Sequence, residues 1–327
     1  MSYPEIIRWG IIGCGDVTEV KSGPAYQKTE GFEVTAVMRR NEEKVQDYAR
    51  RHGIETWYTQ ADDLILDTNV DAVYIATPPD SHTAYALKVA EAGKICCIEK
   101  PMANSYEECL AVTEAFRNKG IPLFVAYYRR SLPRFKQVLT WLEENRIGEV
   151  RHINWIFTKP PGAADLSGAY NWRTDPGKAP GGYFDDLASH GLDLFTYLLG
   201  NIKDASGFHT NQQQRYAVSD AFTASWVHEQ GTTGSGIWNF GCSTAEDRVE
   251  LFGSEGTITF SVFRDNPVTL TSKTETERRI IDHPVHIQLH HVQDMAKQLL
   301  EPGFTHPSTG STATHTSWVM DRILGKQ

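Results

Sequence analysis

The chain has 327 residues, 40% of them hydrophobic and 22% charged, with a formal net charge of −9: a globular make-up, long enough for two domains and a core that needs no staples. That composition excludes disorder and a collagen helix, no apolar run approaches the ~20 residues of a membrane span, and the acidic balance argues against a nucleic-acid partner. The five cysteines, Cys14, Cys96, Cys97, Cys109 and Cys242, are odd in number and contain no C-x-x-C pair, and the first eight residues lack a signal-peptide pattern, so the expectation is a cytoplasmic protein without disulfides or structural zinc.

In chain order, an apolar run at 6–12 ends on Gly13-Cys14-Gly15-Asp16-Val17-Thr18. A strand running into a glycine turn that opens a helix is the first βα unit of a dinucleotide-binding sheet. Glycine permits the turn, and backbone N–H groups of the helix start meet a pyrophosphate. Residues 32–38 form the second strand, 72–77 the third, 94–98 the fourth and 121–127 the fifth. Between them, Ser81 and Gly93 bound a helix, and Ser105 with Glu108 is a capping box for another that Gly120 closes. This alternation predicts a doubly wound parallel sheet over residues 1–124. A helix follows at 134–145. Residues 152–158, 221–228, 233–240, 248–252 and 257–262 then read as strands, with a turn at Gly253-Ser254-Glu255-Gly256. The second domain, 125–327, is thus expected to be α+β with a large, mostly antiparallel open sheet.

The second strand ends on Met38-Arg39-Arg40-Asn41. An NAD site usually has a carboxylate here for the ribose 2′-OH, which would repel a 2′-phosphate, whereas guanidinium groups bind one. The expected cofactor is therefore NADP(H), with NAD(H) as the alternative. Thr18 stands at the third glycine position of the fingerprint, so looser packing between helix and strand is expected there.

Four segments read together: Gly10-Ile11-Ile12-Gly13-Cys14-Gly15, Ala76-Thr77-Pro78-Pro79-Asp80-Ser81-His82, Glu99-Lys100-Pro101 and Asp186-Leu187-Ala188-Ser189-His190. Their order and spacing resemble the glucose-fructose oxidoreductase/inositol dehydrogenase/MocA family, as do Trp172-Arg173 and Gly181-Gly182. The resemblance implies a Rossmann domain, a second domain with an open sheet, and a nicotinamide lying between them beside Lys100. It implies oxidation or reduction of a sugar, cyclitol, related polyol or keto-sugar at one carbon. Two positions depart from the pattern: Tyr183 stands where a third glycine is frequent, and Ala188 replaces a glycine.

The residues carry matching chemistry. Lys100 ends the fourth strand, where an ammonium can hydrogen-bond the reacting oxygen. Asp186 and His190, four apart in a segment rich in leucine, suit a carboxylate that orients an acid/base histidine or binds a hydroxyl. The candidate catalytic residues are Lys100, His190 and Asp186. Candidate cofactor contacts are Gly13, Gly15, Asp16, Val17, Arg39, Arg40, Thr77, Pro78, His82, Glu99 and Lys100. Candidate substrate contacts are Tyr128, Arg129, Trp172, Arg173, Asp186 and His190, with Asn171 beside them in a loop at 159–180 that has the composition of a lid. Neither Asp186, His190 and Asp193 nor His286, His290 and His291 completes a metal site, and no metal is expected. An NAD-dependent glycosidase that oxidises its sugar transiently and a non-catalytic nucleotide-binding regulator are the alternative functions. A homodimer or homotetramer is expected, built on the open sheet with Phe222, Trp226 and Trp238 as anchors.

Overall fold

The computed structural model describes residues 4–326, so the first three residues of the N-terminal reading lie outside it. The chain divides into two compact units. Among the described residues, the first comprises 4–131 and 284–314, the second 132–283 and 315–326. The sequence pattern placed a single boundary at 124/125; the division instead falls after Ser131, and a later segment belongs to the first unit.

Among the described residues the first unit holds six strands: β1 (Ile7–Ile12), β2 (Phe32–Met38), β3 (Thr56–Tyr58), β4 (Ala72–Ile75), β5 (Ile95–Ile98) and β6 (Leu123–Val125). All pairs are parallel, in the order β3-β2-β1-β4-β5-β6. The order reverses between β1 and β4, which puts a ligand-binding crevice at their carboxyl ends. The helices are α1 (Asp16–Val20), α2 (Gly23–Gln27), α3 (Glu42–His52), α4 (Ala61–Leu66), α5 (His82–Glu91) and α6 (Tyr106–Lys119). As the capping box predicts, the Ser105 hydroxyl accepts the Glu108 N–H at 3.2 Å, and Gly120 closes α6 at φ 65°. Successive strand residues feed opposite faces. Val73, Ile75, Cys96 and Ile98 pack with Val112 and Phe116 on one side; Tyr74 and Cys97 join Trp9, Tyr26 and Phe124 on the other. The adjacent thiols of Cys96 and Cys97 therefore point away from each other.

In the second unit α7 (Pro133–Glu143) precedes β7 (Val150–Thr158), α8 (Ala163–Ser167) and α9 (Ser189–Leu199). The strands β8 (Ile202–Thr210), β9 (Ala221–His228), β10 (Thr233–Asn239), β11 (Glu246–Gly253), β12 (Gly256–Phe260), β13 (Val268–Ser272) and β14 (Thr276–Arg279) follow. The eight strands order as β14-β13-β12-β11-β7-β10-β9-β8, antiparallel except for the parallel pair β7/β10. Two helices near the C-terminus, α10 (Leu289–Leu300) and α11 (Gly310–Ile323), were not read from the sequence. Val292, Met295 and Leu299 of α10 complete the second core face of the first unit.

The expected interface anchors are corrected by the sheet. Phe222, Trp226 and Trp238 lie on its covered face and are buried. Phe222 stacks on Phe184 at 4.7 Å, Trp226 on Phe195 at 6.0 Å, and Trp238 meets Trp155 edge-on at 5.4 Å. The alternate residues Thr223, Ser225 and Ile237 face outward. Among the described residues no helix is long and apolar enough to cross a membrane.

Candidate active site

The nucleotide turn is built as its residues demand. Gly13 has φ +90°, and a Cβ there would lie 2.6 Å from Thr77 Cγ2, so the missing side chain is what lets the turns after β1 and β4 approach. At Gly15 a Cβ would meet nothing nearer than 3.8 Å, leaving its face open to a ligand. The N–H groups of Gly13 and Cys14 donate to the Met38 carbonyl, and that of Gly15 to the Thr18 hydroxyl at 3.0 Å. Among the described residues, no acceptor takes the N–H groups of Asp16 and Val17. These are donors at the start of α1, where a pyrophosphate is bound in this fold. Thr18 does not loosen the turn: it is fully buried, its hydroxyl donates back to the Gly15 carbonyl at 2.8 Å, and its own carbonyl accepts from Tyr48 at 3.0 Å. The expected looser packing gives way to a hydrogen-bonded plug. Arg39 follows β2, and its guanidinium donates to the Cys14 carbonyl at 3.1 Å; Arg40 is exposed. These residues fit a nicotinamide dinucleotide.

Thr77 and Pro78 end β4, and the Ser81 hydroxyl donates to Thr77 Oγ1 at 2.8 Å. His82 is used otherwise than as a cofactor contact. It is fully buried, with Nδ1 2.9 Å from the Pro101 carbonyl and Nε2 2.7 Å from the Thr77 carbonyl. Burial pulls its pKa down against these two carbonyls. Its ring ties the turn after β4 to the turn after β5, and both nitrogens are spent on that brace.

Lys100 stands directly after β5 and is half-buried. Glu99, 8% exposed, accepts the Lys100 N–H on Oε2 at 3.1 Å, and its Oε1 accepts from the Tyr74 hydroxyl at 2.7 Å and Gln288 Nε2 at 2.6 Å. A buried carboxylate with three donors is stable only in that geometry, so the backbone of Lys100 is pinned from beneath the sheet. Sequence reasoning missed Tyr74 and Gln288, since the latter comes from the returning segment. Tyr128 and Arg129 share a 3-10 turn after β6, the buried Arg129 guanidinium 4.9 Å from the Tyr128 ring.

In the second unit Asp186 lies in a π-helical turn, Phe184–Ala188, that runs into α9. The expected α-helical spacing of Asp186 and His190 is thus widened by one turn of π geometry, a local irregularity frequent at functional sites. His190 is 4% exposed, with its ring edge-on to Phe263 at 5.7 Å. Gly191 brings α9 against the sheet: a Cβ there would lie 2.2 Å from the Trp155 ring. Asp193, fully buried, accepts from the Thr316 hydroxyl at 3.1 Å. Arg173 Nε donates to Asp186 Oδ2 at 2.6 Å, and its guanidinium lies 4.5 Å from the Trp172 ring. The Asn171 side chain accepts the Arg173 N–H at 3.2 Å and donates to the Tyr183 hydroxyl at 2.8 Å. Tyr183 in turn donates to Asp165, at 2.8 and 3.0 Å. Sequence reasoning missed Asp165 and Lys159. The loop expected as a lid carries α8 and a 3-10 turn of its own, and with Arg215 and Tyr216 lines an open pocket of about 300 Å³ whose walls do not include Asp186 or His190.

His286 and His291 have separate partners. His286 touches the Val20 carbonyl at 2.7 Å and Lys28 at 2.8 Å, whereas His291 is buried against His306 at 4.6 Å between ring centres. Among the described residues no group of three or more histidine, cysteine or acidic side chains is arranged to hold a metal.

Residues 7–127 match the model of an oxidoreductase family with an NAD-binding Rossmann fold, and residues 135–259 match the GFO/IDH/MocA C-terminal domain. Oxidoreductase P35 of Formosa agariphila is 38% identical over 324 residues, 98% of each chain. The NAD(+)-dependent scyllo-inositol 2-dehydrogenase of Bacillus subtilis is 26% identical over 272 residues, 81% of this chain and 77% of that one. A levoglucosan dehydrogenase in complex with NADH and levoglucosan superposes with a TM-score of 0.88 at 23% identity, covering 98% of this chain and 96% of the other. The chain belongs to the Gfo/Idh/MocA family of oxidoreductases and is an NAD(P)-dependent dehydrogenase or reductase.

Proposed function

We propose that the protein transfers a hydride between NADP(H), in preference to NAD(H), and one carbon of a sugar, cyclitol, related polyol or keto-sugar. The observation that carries this reading is Lys100, set at the carboxyl end of β5 and held by its backbone on the buried Glu99. Relatives that act on scyllo-inositol and levoglucosan support the substrate class. The bound cofactor supplies the hydride donor or acceptor. Asp16 and Val17 N–H groups bind its pyrophosphate, and Arg39 and Arg40 attract a 2′-phosphate. Thr77 and Pro78 line its path, with His82 bracing them. Lys100 donates a hydrogen bond to the reacting oxygen, and His190 takes or returns the proton. Asp186, fixed by Arg173, accepts from a substrate hydroxyl. Tyr128, Arg129 and Trp172 complete the substrate contacts.

Incubation with cyclitols, aldoses and keto-sugars, with each cofactor, tests the reading. Stoichiometric change at 340 nm with a member of the panel supports it. Cleavage of a glycoside without net cofactor change establishes the glycosidase alternative instead, and cofactor binding with neither reaction establishes the regulator.

The reading includes a cytoplasmic location, supported by five free cysteines, and a homodimer or homotetramer. For assembly, the outward residues Phe208, Ile237 and Phe252, exposed at 81%, 44% and 38%, replace the buried aromatic anchors.

A further inference from the structure

Lys159 directly follows β7, and its N–H donates to the Asn239 carbonyl of β10 at 3.0 Å. Its ammonium stands 4.1 Å from the centre of the Tyr183 ring and 6.0 Å from that of Phe240. The seat is rigid, because the Tyr183 hydroxyl is locked between Asp165 and Asn171. The nearby carboxylates already have donors. Asp165 accepts from Tyr183 and, on Oδ2, from the Gly162 N–H at 2.8 Å, while Asp186 accepts from Arg173. Among the described residues, no acceptor lies within hydrogen-bonding distance of the Lys159 ammonium and no carboxylate within ion-pairing distance. Arg173 likewise spends its Nε on Asp186, and no described acceptor takes its terminal nitrogens.

The donors left open beside Asp186 are therefore cationic, and one is a half-buried ammonium on an aromatic face. Such an ammonium loses hydration without gaining hydrogen bonds, and burial pulls its pKa down, Asp165 and Asp186 opposing and Arg173 adding to the shift. An arriving oxyanion reverses that loss with charge-assisted hydrogen bonds. A neutral hydroxyl does so only weakly.

We propose that Lys159, seated on Tyr183 and acting with Arg173, binds an anionic oxyacid group of the substrate, a carboxylate in the first place. The protein is then a dehydrogenase or reductase of acidic sugars of the uronate or aldonate type. This rests on the reading that Asp186 belongs to the substrate site.

Calorimetric titration of the NADH- or NADPH-loaded protein tests it, with D-glucuronate, D-gluconate, D-glucose 6-phosphate, D-glucose and myo-inositol as probes. An acid is expected to bind about 10- to 100-fold more tightly than its neutral counterpart. Lys159→Gln should abolish that preference while keeping cofactor affinity and thermal stability, and Lys159→Arg should retain it. A preference confined to the phosphate ester, and lost in Lys159→Gln, assigns the same seat to a phosphoester. Acids that bind no more tightly than glucose, or a preference that survives in Lys159→Gln, overturn the proposal. Turnover of neutral sugars alone would sink this inference and leave the function above standing; acids held through Lys159 without hydride transfer would do the reverse.

Discussion

In the proposed function, Arg39 is the single side chain on which the preference for NADP(H) rests. A carboxylate at this position would repel a 2′-phosphate, whereas a guanidinium adds a charged hydrogen bond of ~1.5–3 kcal/mol. Fluorescence titration should find NADPH bound more tightly than NADH, with most of the difference lost in Arg39→Ala. Equal affinities in the wild type would refute the assignment. Asp185, next to Asp186, gives a second prediction. Its carboxyl is buried and accepts the Gly181 N–H at 2.6 Å, and burial pushes its pKa up to about 6. In the unfolded chain it titrates near ~3.9. Between those values the folded state holds the extra proton, so stability falls as pH rises from about 4 to about 6 and the penalty is constant above. Asp185→Asn keeps an acceptor for Gly181. It should stabilise the protein at pH 7–8 by about 1–3 kcal/mol, with the gain vanishing near pH 4. Urea melts at the two pH values measure this; a gain of equal size at both would contradict it.

Elements show which signals the sequence carries. The buried parallel strands and the capped helices were legible because Cys96-Cys97-Ile98 or Ser105-x-x-Glu108 leaves one reading. β8 was not: Lys203, Asp204 and His209 are exposed on an edge strand, where one side needs no neighbour and alternation is faint. β3 has three half-buried residues and no pattern to detect. Alternation in β9 and β10 showed two faces but not which one α9 covers, and so the aromatic face was mistaken for the interface. Lys159 was invisible for a different reason. A lysine after a strand reads as solvated, and its partner Tyr183 is distant in sequence. The α9 contact also yields a prediction. Gly191→Ala places a methyl into the Trp155 ring and should lower stability by ~1–3 kcal/mol, read as a reduced thermal midpoint. An unchanged midpoint would mean that α9 does not lie this close to Trp155.

For the molecule as a whole, the acid response of the first unit follows from its buried histidines. Burial lowers His306 to about 4 against the carbonyls of His291 and Ser308, and lowers His291 well below its ordinary value, with the His306 ring adding to that second shift. Both are neutral when folded, whereas unfolded histidine gains a proton near ~6.5. The unfolded state thus binds more protons below that pH. Stability is lost as pH falls from about 6.5, and the His306 contribution levels off below about 4. His291→Leu should flatten this loss in denaturant melts between pH 7 and 4.5; an unchanged slope would contradict the account. Under the proposed function, Lys100 hydrogen-bonds the reacting oxygen and His190 moves the proton of one and the same hydride transfer. Steady-state turnover at 340 nm of the wild type, Lys100→Ala, His190→Ala and the double variant tests it most directly. Each single variant should lose ~10²–10⁴ in kcat with cofactor affinity nearly kept, and the double variant should be little worse than the poorer single one, as for residues acting as a unit. Near-wild-type turnover by His190→Ala, or losses that multiply in the double variant, would contradict it.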